Sequence, residues 1–374
     1  MALLDTVDPE GLEEFSVVFT DRSLNHMSGT FQQVMRDISD MLKEVYHADA
    51  VAVVPGGGTY GMEAVARQFG HGANVLVVRN GWFSFRWTQI FDAGGFAADT
   101  TVMKARQTGN EPTAAFAPAP IDKVVAKIHE LKPDIVFAPH VETSAGVILP
   151  DAYVTALASA AHEVGALMVL DCIASGTIWV DMQATGVDVL ISAPQKGWSS
   201  TPAAGLVMLS DRAMARMEET SSDSFALDLK KWRSIMAAYE GGGHAYHATM
   251  PTDSLRAFRD TMLETREYGF DRLKGAQWAL GNAVRAMLAE KGVKSVAAEG
   301  FGAPGVVVSY TSDPEIQSGR AFAARGMQIA AGVPLQCDEP QGFSTFRLGL
   351  FGLDKLYDVD GTVARLRGVL DQVL

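Results

Sequence analysis

Five short apolar runs, each closed by small or polar residues, constrain the fold of this chain more than any other feature. They are "AVAVV" (50–54), "NVLVVRNG" (74–81), "DIVFAPH" (134–140), "ALMVLDCIASG" (166–176) and "VDVLISAPQK" (187–196). None alternates apolar with polar, so each is expected to be buried on both faces. Helical patterns lie between several of them: Ile121, Val124, Val125, Ile128 and Leu131 in one gap, and the stretch from Ala152 to Val164 in another. Doubly buried strands separated by amphipathic helices imply a mostly parallel sheet covered on both sides. "GLVMLS" (205–210) follows the last run with too few residues for a helical crossover, which makes it an antiparallel neighbour. The clearest helix precedes the series: Phe31, Val34, Met35, Ile38, Met41, Leu42 and Val45 recur at helical spacing over residues 31–46.

A chain of 374 residues calls for two domains rather than one. The expected division is a large α/β domain over residues 1–250, with an N-terminal arm over 1–30, and a smaller α+β domain over 251–374. After "HATMPTD" the pattern changes to a long helical stretch (about 253–290), "GVVVSY", a helix near 315–326, "FRLGLFG" and a terminal helix. Apolar content of 48% with 20% charged residues excludes a largely disordered chain. A formal charge of −13 argues against nucleic acid or an anionic membrane as partner, and no apolar run reaches bilayer length. Two cysteines make neither a disulfide framework nor a zinc pattern. With no metal expected and no signal peptide in the pattern, the reading is cytoplasmic. On so acidic a chain, an anionic small substrate would need local positive charge, which draws attention to isolated arginines.

Open α/β sheets bind ligands beyond the carboxyl ends of their strands. That rule selects Gly57–Thr59, Asn80–Phe83, His140–Ser144, Asp171 and Lys196. Gly56, Gly58 and Gly61 spell the G-x-G-x-x-G dinucleotide fingerprint. The fingerprint also asks for an acid at the end of the second strand, where this chain has "VVRNG". Arg79 could meet a 2′-phosphate instead, so an NADP-dependent oxidoreductase stands as an alternative. The physics of the loop is less specific than the motif. Free N–H groups at a helix start hold any phosphate, and Thr59 adds a hydroxyl. The plainer reading is a tight turn that needs glycine for steric reasons; consecutive glycines followed by Thr favour the phosphate.

Lys196 follows a buried strand among small residues, and Asp171 ends the strand before it. Taken singly, Lys196 is a solvated charge and Asp171 a helix N-cap. Together they match pyridoxal phosphate (PLP) chemistry. There a lysine holds the cofactor aldehyde as a Schiff base, and an acid faces the pyridinium nitrogen. The carboxylate keeps that nitrogen protonated, and the lysine, once displaced by a substrate amine, is free to shuttle a proton.

Seven segments in collinear order, "GGGTYGMEA", "NGWFSFRW", "HVETSAGVILP", "LDCIASG", "SAPQKGW", "GHAYHATMPTDSL" and "FRLGLFG", resemble the successive motifs of the class V aminotransferases. The similarity is to the alanine–glyoxylate and serine–glyoxylate (serine–pyruvate) branch, and it runs from about "NHMSGTFQQVM" to the end. The resemblance implies PLP fold type I, a mostly parallel mixed sheet in the large domain, and a homodimer with composite active sites. It implies ping-pong transamination between a small α-amino acid, of alanine or serine type, and glyoxylate or pyruvate. By position, it makes Lys196 the Schiff-base lysine and Asp171 the pyridinium partner. It puts the phosphate on Gly58 and Thr59, with Gly57 beside them and Gln195 contributing its amide. It makes Phe83 the ring-stacking aromatic, with Trp82 as competitor. Ser144 would face the ring hydroxyl and Ile173 the ring's other face. Tyr246 and Thr249 would reach the neighbour's phosphate, and Arg347 would anchor the substrate carboxylate through its planar fork.

Two departures bear on the amino donor. The family's "PGP"-type opening segment is replaced by "FSVVFTDRSLNHMSG", where Asn25, His26 and Arg22 offer different substrate contacts. "GWSS" after Lys196 is bulkier than the family's usual small residues. A lyase or cysteine desulfurase on the same fold is the alternative within PLP chemistry, and Cys337 in "LQCDEP" its loop candidate. A sugar transaminase or regulator is a third, against which Arg347 and the lack of a DNA-binding extension count.

Overall fold

The computed structural model describes residues 7–9, 11–18 and 22–374. Residues 1–6, 10 and 19–21 of the expected arm lie outside the described residues. The first long helix, α1 (Gly29–Tyr46), starts at Ser28, whose side chain accepts from the Phe31 N–H, and buries the apolar stripe read from the sequence. It ends at His47 in the left-handed region.

Seven strands follow: β1 (Ala50–Pro55), β2 (Asn74–Arg79), β3 (Asp99–Lys104), β4 (Ile135–Pro139), β5 (Leu167–Asp171), β6 (Val189–Ser192) and β7 (Ala204–Leu209). Their spatial order is β1-β7-β6-β5-β4-β2-β3. Neighbours pair parallel except at β7, which runs antiparallel to both β1 and β6. The crossovers include α2 (Gly58–Phe69), α3 (Trp82–Gly94), α4 (Ile121–Leu131) and α5 (Asp151–Glu163). Burial on both faces explains the unalternating apolar runs: β4, β5, β6 and β7 are buried at every position. The third glycine of the fingerprint, Gly61, sits where α2 crosses β7. A Cβ on its partner Gly205 would fall 2.6 Å from the Gly61 nitrogen, so helix and strand touch backbone to backbone. That glycine serves packing.

After α6 (Asp211–Glu219) and α7 (Leu229–Glu240), α8 (Thr252–Tyr268) and α9 (Phe270–Glu290) lead into the C-terminal part. The expected single stretch over 253–290 is two helices, broken at Gly269, whose φ of 106° no helix accommodates. The helix expected near 315–326 is likewise two short ones, Pro314–Gln317 and Arg320–Ala323, parted by Gly319 at φ 80°. Three strands, β8 (Val306–Tyr310), β9 (Ala330–Ala331) and β10 (Thr345–Gly349), pair antiparallel in the order β8-β10-β9, and α10 (Val359–Val373) closes the chain. Val141, Ala145, Val147 and Ile148, from the segment after β4, share an apolar cluster with Val296, Val306 and Val308. The C-terminal sheet is thereby held against the carboxyl ends of the parallel strands.

Candidate active site

A cavity of about 220 Å³ opens at those carboxyl ends, its wall including Gly58, Thr59, Phe83, Asp171, Gln195 and Lys196. Parallel pairing brings these turns of the fold to one edge. Gly57 is the N-cap of α2 and brings no side chain to the cap, so the first N–H groups of the helix have no side-chain acceptor there. Gly58 and Ile173 are in close contact: a Cβ on Gly58 would lie 2.5 Å from Ile173 Cδ1. Any larger residue there would push the Ile173 side chain out of its place on the wall. The Gln195 Oε1 is buried without a hydrogen-bond partner.

Asp171 ends β5, 7% exposed, and its Oδ1 accepts from the Ile173 N–H at 2.9 Å. Burial pushes its carboxyl up to about 7, with Glu142 adding to the rise; the Ile173 N–H and Arg86 oppose it. Lys196 lines the same cavity, its Nζ 5.3 Å from the centre of the Phe351 ring. Burial, then the Arg347 charge, lowers its amine below the ordinary lysine range, which raises the share of the nucleophilic free base. The lysine loop is tied down by Gly197, where a Cβ would fall 1.9 Å from the Gly176 carbonyl oxygen.

Phe83 forms wall; Trp82 does not, and pairs instead with Phe85 at 6.0 Å. Two guanidinium groups lie near the Phe83 ring, Arg86 at 5.4 Å and Arg347 at 5.7 Å from its centre. Arg347 lies on β10, and its Nε donates to the Ala331 carbonyl at 2.8 Å. Burial lowers its pKa from the usual arginine value, a shift that Glu142 opposes. The rest of its fork is uncommitted among the described residues.

Six sequence-predicted residues are not on this wall: Gly57, just before it, Arg347 on β10, and the four that follow. Ser144 is fully buried behind it, donating to Glu142 at 2.7 Å and accepting from the Trp82 N–H at 2.9 Å. Tyr246 and Thr249 sit on the connection between α7 and α8, paired through their hydroxyls at 3.3 Å, with Tyr246 58% exposed. Asn25 is buried, donates to Glu14 and accepts from the Met27 N–H at 2.8 Å. It lines a separate hollow with Glu14, Ser23 and Ser28. His26, beside it, lies 5.6 Å ring to ring from Tyr246.

Three residues were given no role of their own in the sequence reading, although Glu142 and His140 fall in its His140–Ser144 segment. Glu142 has its carboxylate fully buried at the start of α3, accepting from Phe83 N, Ser84 N, Ser84 Oγ, Ser144 N and Ser144 Oγ at 2.7–3.2 Å. It closes the positive end of the helix that carries Phe83. Glu142→Gln is expected to cost about 2–4 kcal/mol of stability, since an amide cannot accept from all these donors; urea unfolding measures it. Arg86 stands one helical turn past Phe83 and donates to Thr59 Oγ1 at 2.9 Å. Its spacing from Phe83 in "FSFR" was the available signal. His140, buried, meets the Ser175 hydroxyl at 2.7 Å, and burial pushes its pKa down to about 3, so it stays neutral.

The residues proposed for the rival chemistries point elsewhere. Arg79 is buried and donates to the Gln336 carbonyl and to Thr88, over the Phe85 ring at 4.5 Å. The Cys337 thiol is buried, donates to the Arg79 carbonyl at 3.4 Å, and is pushed up to about 12 by burial.

A parallel sheet with one antiparallel strand, a C-terminal α+β unit over its carboxyl edge, and a lysine and an aspartate on one cavity define a PLP enzyme of fold type I. The chain belongs to the aminotransferase class-V family, whose family model matches residues 12–293. It is therefore an aminotransferase, moving an amino group between an amino acid and a keto acid. Its sequence is 27% identical to a "Soluble hydrogenase, small subunit" from Synechococcus over 94% of this chain and 88% of that one. It is 26% identical to the alanine–glyoxylate aminotransferase of Rattus norvegicus, over 67% of this chain and 58% of the other. Among solved structures, the alanine–glyoxylate aminotransferase from Nostoc superposes with a TM-score of 0.77 at 21% identity, covering 94% of this chain and 89% of that one. No helix among the described residues is long and apolar enough to cross a membrane.

Proposed function

We propose that PLP occupies the 220 Å³ cavity and that the enzyme transfers the amino group of a small α-amino acid, alanine or serine, to glyoxylate or pyruvate. The observation that carries this is the placement of Lys196 and Asp171 on one cavity with the uncapped start of α2. The residues fit the group. Gly58 leaves open a cradle that a Cβ would close, and Gln195 on the same wall brings an amide whose NH2 can donate to a phosphate oxygen. Asp171, its pKa raised to about 7 by burial, is stabilised as a carboxylate by a protonated nitrogen set against it.

When bound, PLP supplies the electron sink that makes loss of the substrate Cα proton feasible. The protein supplies the rest. Asp171 holds the proton on the pyridine nitrogen. Lys196, with its amine partly desolvated, takes the proton from Cα and returns it. Arg347 offers its fork to the α-carboxylate, which both amino and keto acids carry. Phe83 and Ile173 would wall the ring, and Gly57, Gly58, Thr59 and Gln195 would receive the phosphate. Ser144 acts through Glu142 and the start of α3, which sets Phe83.

In this reading residues 1–250 and 251–374 are the two domains, and two copies form a homodimer. Tyr246 and Thr249 then reach the partner's phosphate; the exposure of Tyr246 supports that role. The burial of Cys337 weighs against a desulfurase, and the inward turn of Arg79 against an NADP enzyme. Cys337→Ser is accordingly expected to keep full transaminase activity and to release no less sulfide from cysteine than the parent.

The test is a panel of donors and acceptors followed as single half-reactions by the visible band of the lysine-bound cofactor. Alanine or serine should bleach the band and glyoxylate or pyruvate restore it. A band that no α-amino acid bleaches would refute the reading.

A further inference from the structure

The receiving end of the cavity combines the start of α2, the Thr59 hydroxyl and the Gln195 amide, all of them uncharged. A phosphate monoester carries a charge of about −1.5 to −2 at neutral pH. A helix start offers only about half a positive charge and the Thr59 and Gln195 groups none, so most of that charge is left uncompensated. One cation among the wall residues stands beside this end: Arg86, whose Nη1 donates to Thr59 Oγ1 at 2.9 Å. Arg347 is held differently, with its Nε on the Ala331 carbonyl of the C-terminal sheet. Arg86 rises from α3, one turn past Phe83, and its guanidinium rests 5.4 Å from the Phe83 ring centre. The same helix thus carries a ring wall and a cation that reaches the α2 N-terminus.

We propose that Arg86 is the charge-compensating ligand of the cofactor's phosphate, reaching it alongside Thr59, and that it couples the phosphate cup to the Phe83 wall. This rests on the reading of the cavity as a PLP site. A guanidinium fork can hold Thr59 and a phosphate oxygen together, because its donors point in several directions. The Phe83 face restricts where the fork can swing. Arg86 is also close enough to lower the pKa of Asp171 on the same cavity, so its charge is felt across the site.

The experiment compares two forms of the cofactor on the same apoprotein. PLP and pyridoxal, which lacks the phosphate, are titrated into the parent, R86Q and R86K, with binding read from the lysine-bound visible band and from fluorescence. R86Q is expected to weaken PLP by about 10- to 100-fold, the range for a hydrogen bond to a charged group, and to leave pyridoxal unchanged. R86K, which keeps the charge and loses the fork, should weaken PLP less and also leave pyridoxal unchanged. It carries the test alone if R86Q does not fold. Equal changes for both ligands, or none for either, overturn the proposal. So does an unchanged PLP affinity with a raised KM for a dicarboxylic donor, which assigns Arg86 to the substrate. If the parent forms no lysine-bound band with PLP, the underlying reading of the cavity has failed, a distinct result.

Discussion

Lys196→Ala is expected to lower kcat by about 10⁴-fold, the upper range for a positioned acid–base group, and to abolish the visible band that borohydride fixes on the parent. Both follow from one atom. In the proposed mechanism Nζ is both the amine that links to the cofactor and the base that moves the Cα proton. The variant is expected to fold as the parent does, because the desolvation cost removed with the amine offsets the loss of its contact with the Phe351 ring. Near-normal thermal unfolding alongside lost turnover separates a chemical role from a structural one. Retained turnover, or a lysine-bound band in the variant, would sink the assignment.

Asp171→Asn should lower kcat by about 10²–10³-fold, the scale for losing one preorganised electrostatic group. The amide has the carboxylate's shape but no charge with which to hold a proton on the ring nitrogen. A second readout needs no cofactor. In the apoprotein burial raises the Asp171 pKa from 3.8 to about 7. Its folded value thus lies above its unfolded one, so the folded state binds more protons between them. Stability from this group falls as pH rises from about 4 to about 7, then levels off. The amide of the variant has no such titration. The urea midpoint of the apo variant should therefore gain on the parent across that window and hold its lead above it. A constant difference at all pH values would show that the carboxyl is not perturbed in this way. Adding PLP to the parent should reduce the slope, because a protonated nitrogen favours the ionised carboxylate.

Much of the site was legible in the order of residues alone. Asp171 ends β5 and Lys196 lies in the loop just past β6, and parallel pairing of those strands puts both at one edge whatever the tertiary detail. Gly58 and Thr59 followed from the same rule. What sequence pattern could not separate were glycines with different duties: Gly58 clears Ile173, while Gly61 lets α2 pack on Gly205 of β7. A fingerprint of three glycines reads alike in both cases. Ser144 was matched to the ring, but its hydroxyl is committed to Glu142 and Trp82, partners set by how β4 meets α3.

The chain's own order determined the parallel sheet, its antiparallel β7, the edge at which a ligand belongs and the lysine–aspartate pair, because strand burial and crossover length are local properties. Only the tertiary structure decided which charges face the cavity. Arg79, Arg86 and Arg347 are equal in sequence as lone arginines on an acidic chain. The first turns inward to the Gln336 carbonyl, the second to Thr59, and the third approaches the Phe83 ring from a different sheet. A guanidinium on a long side chain takes its role from what packs around it, and those neighbours lie far away in the chain.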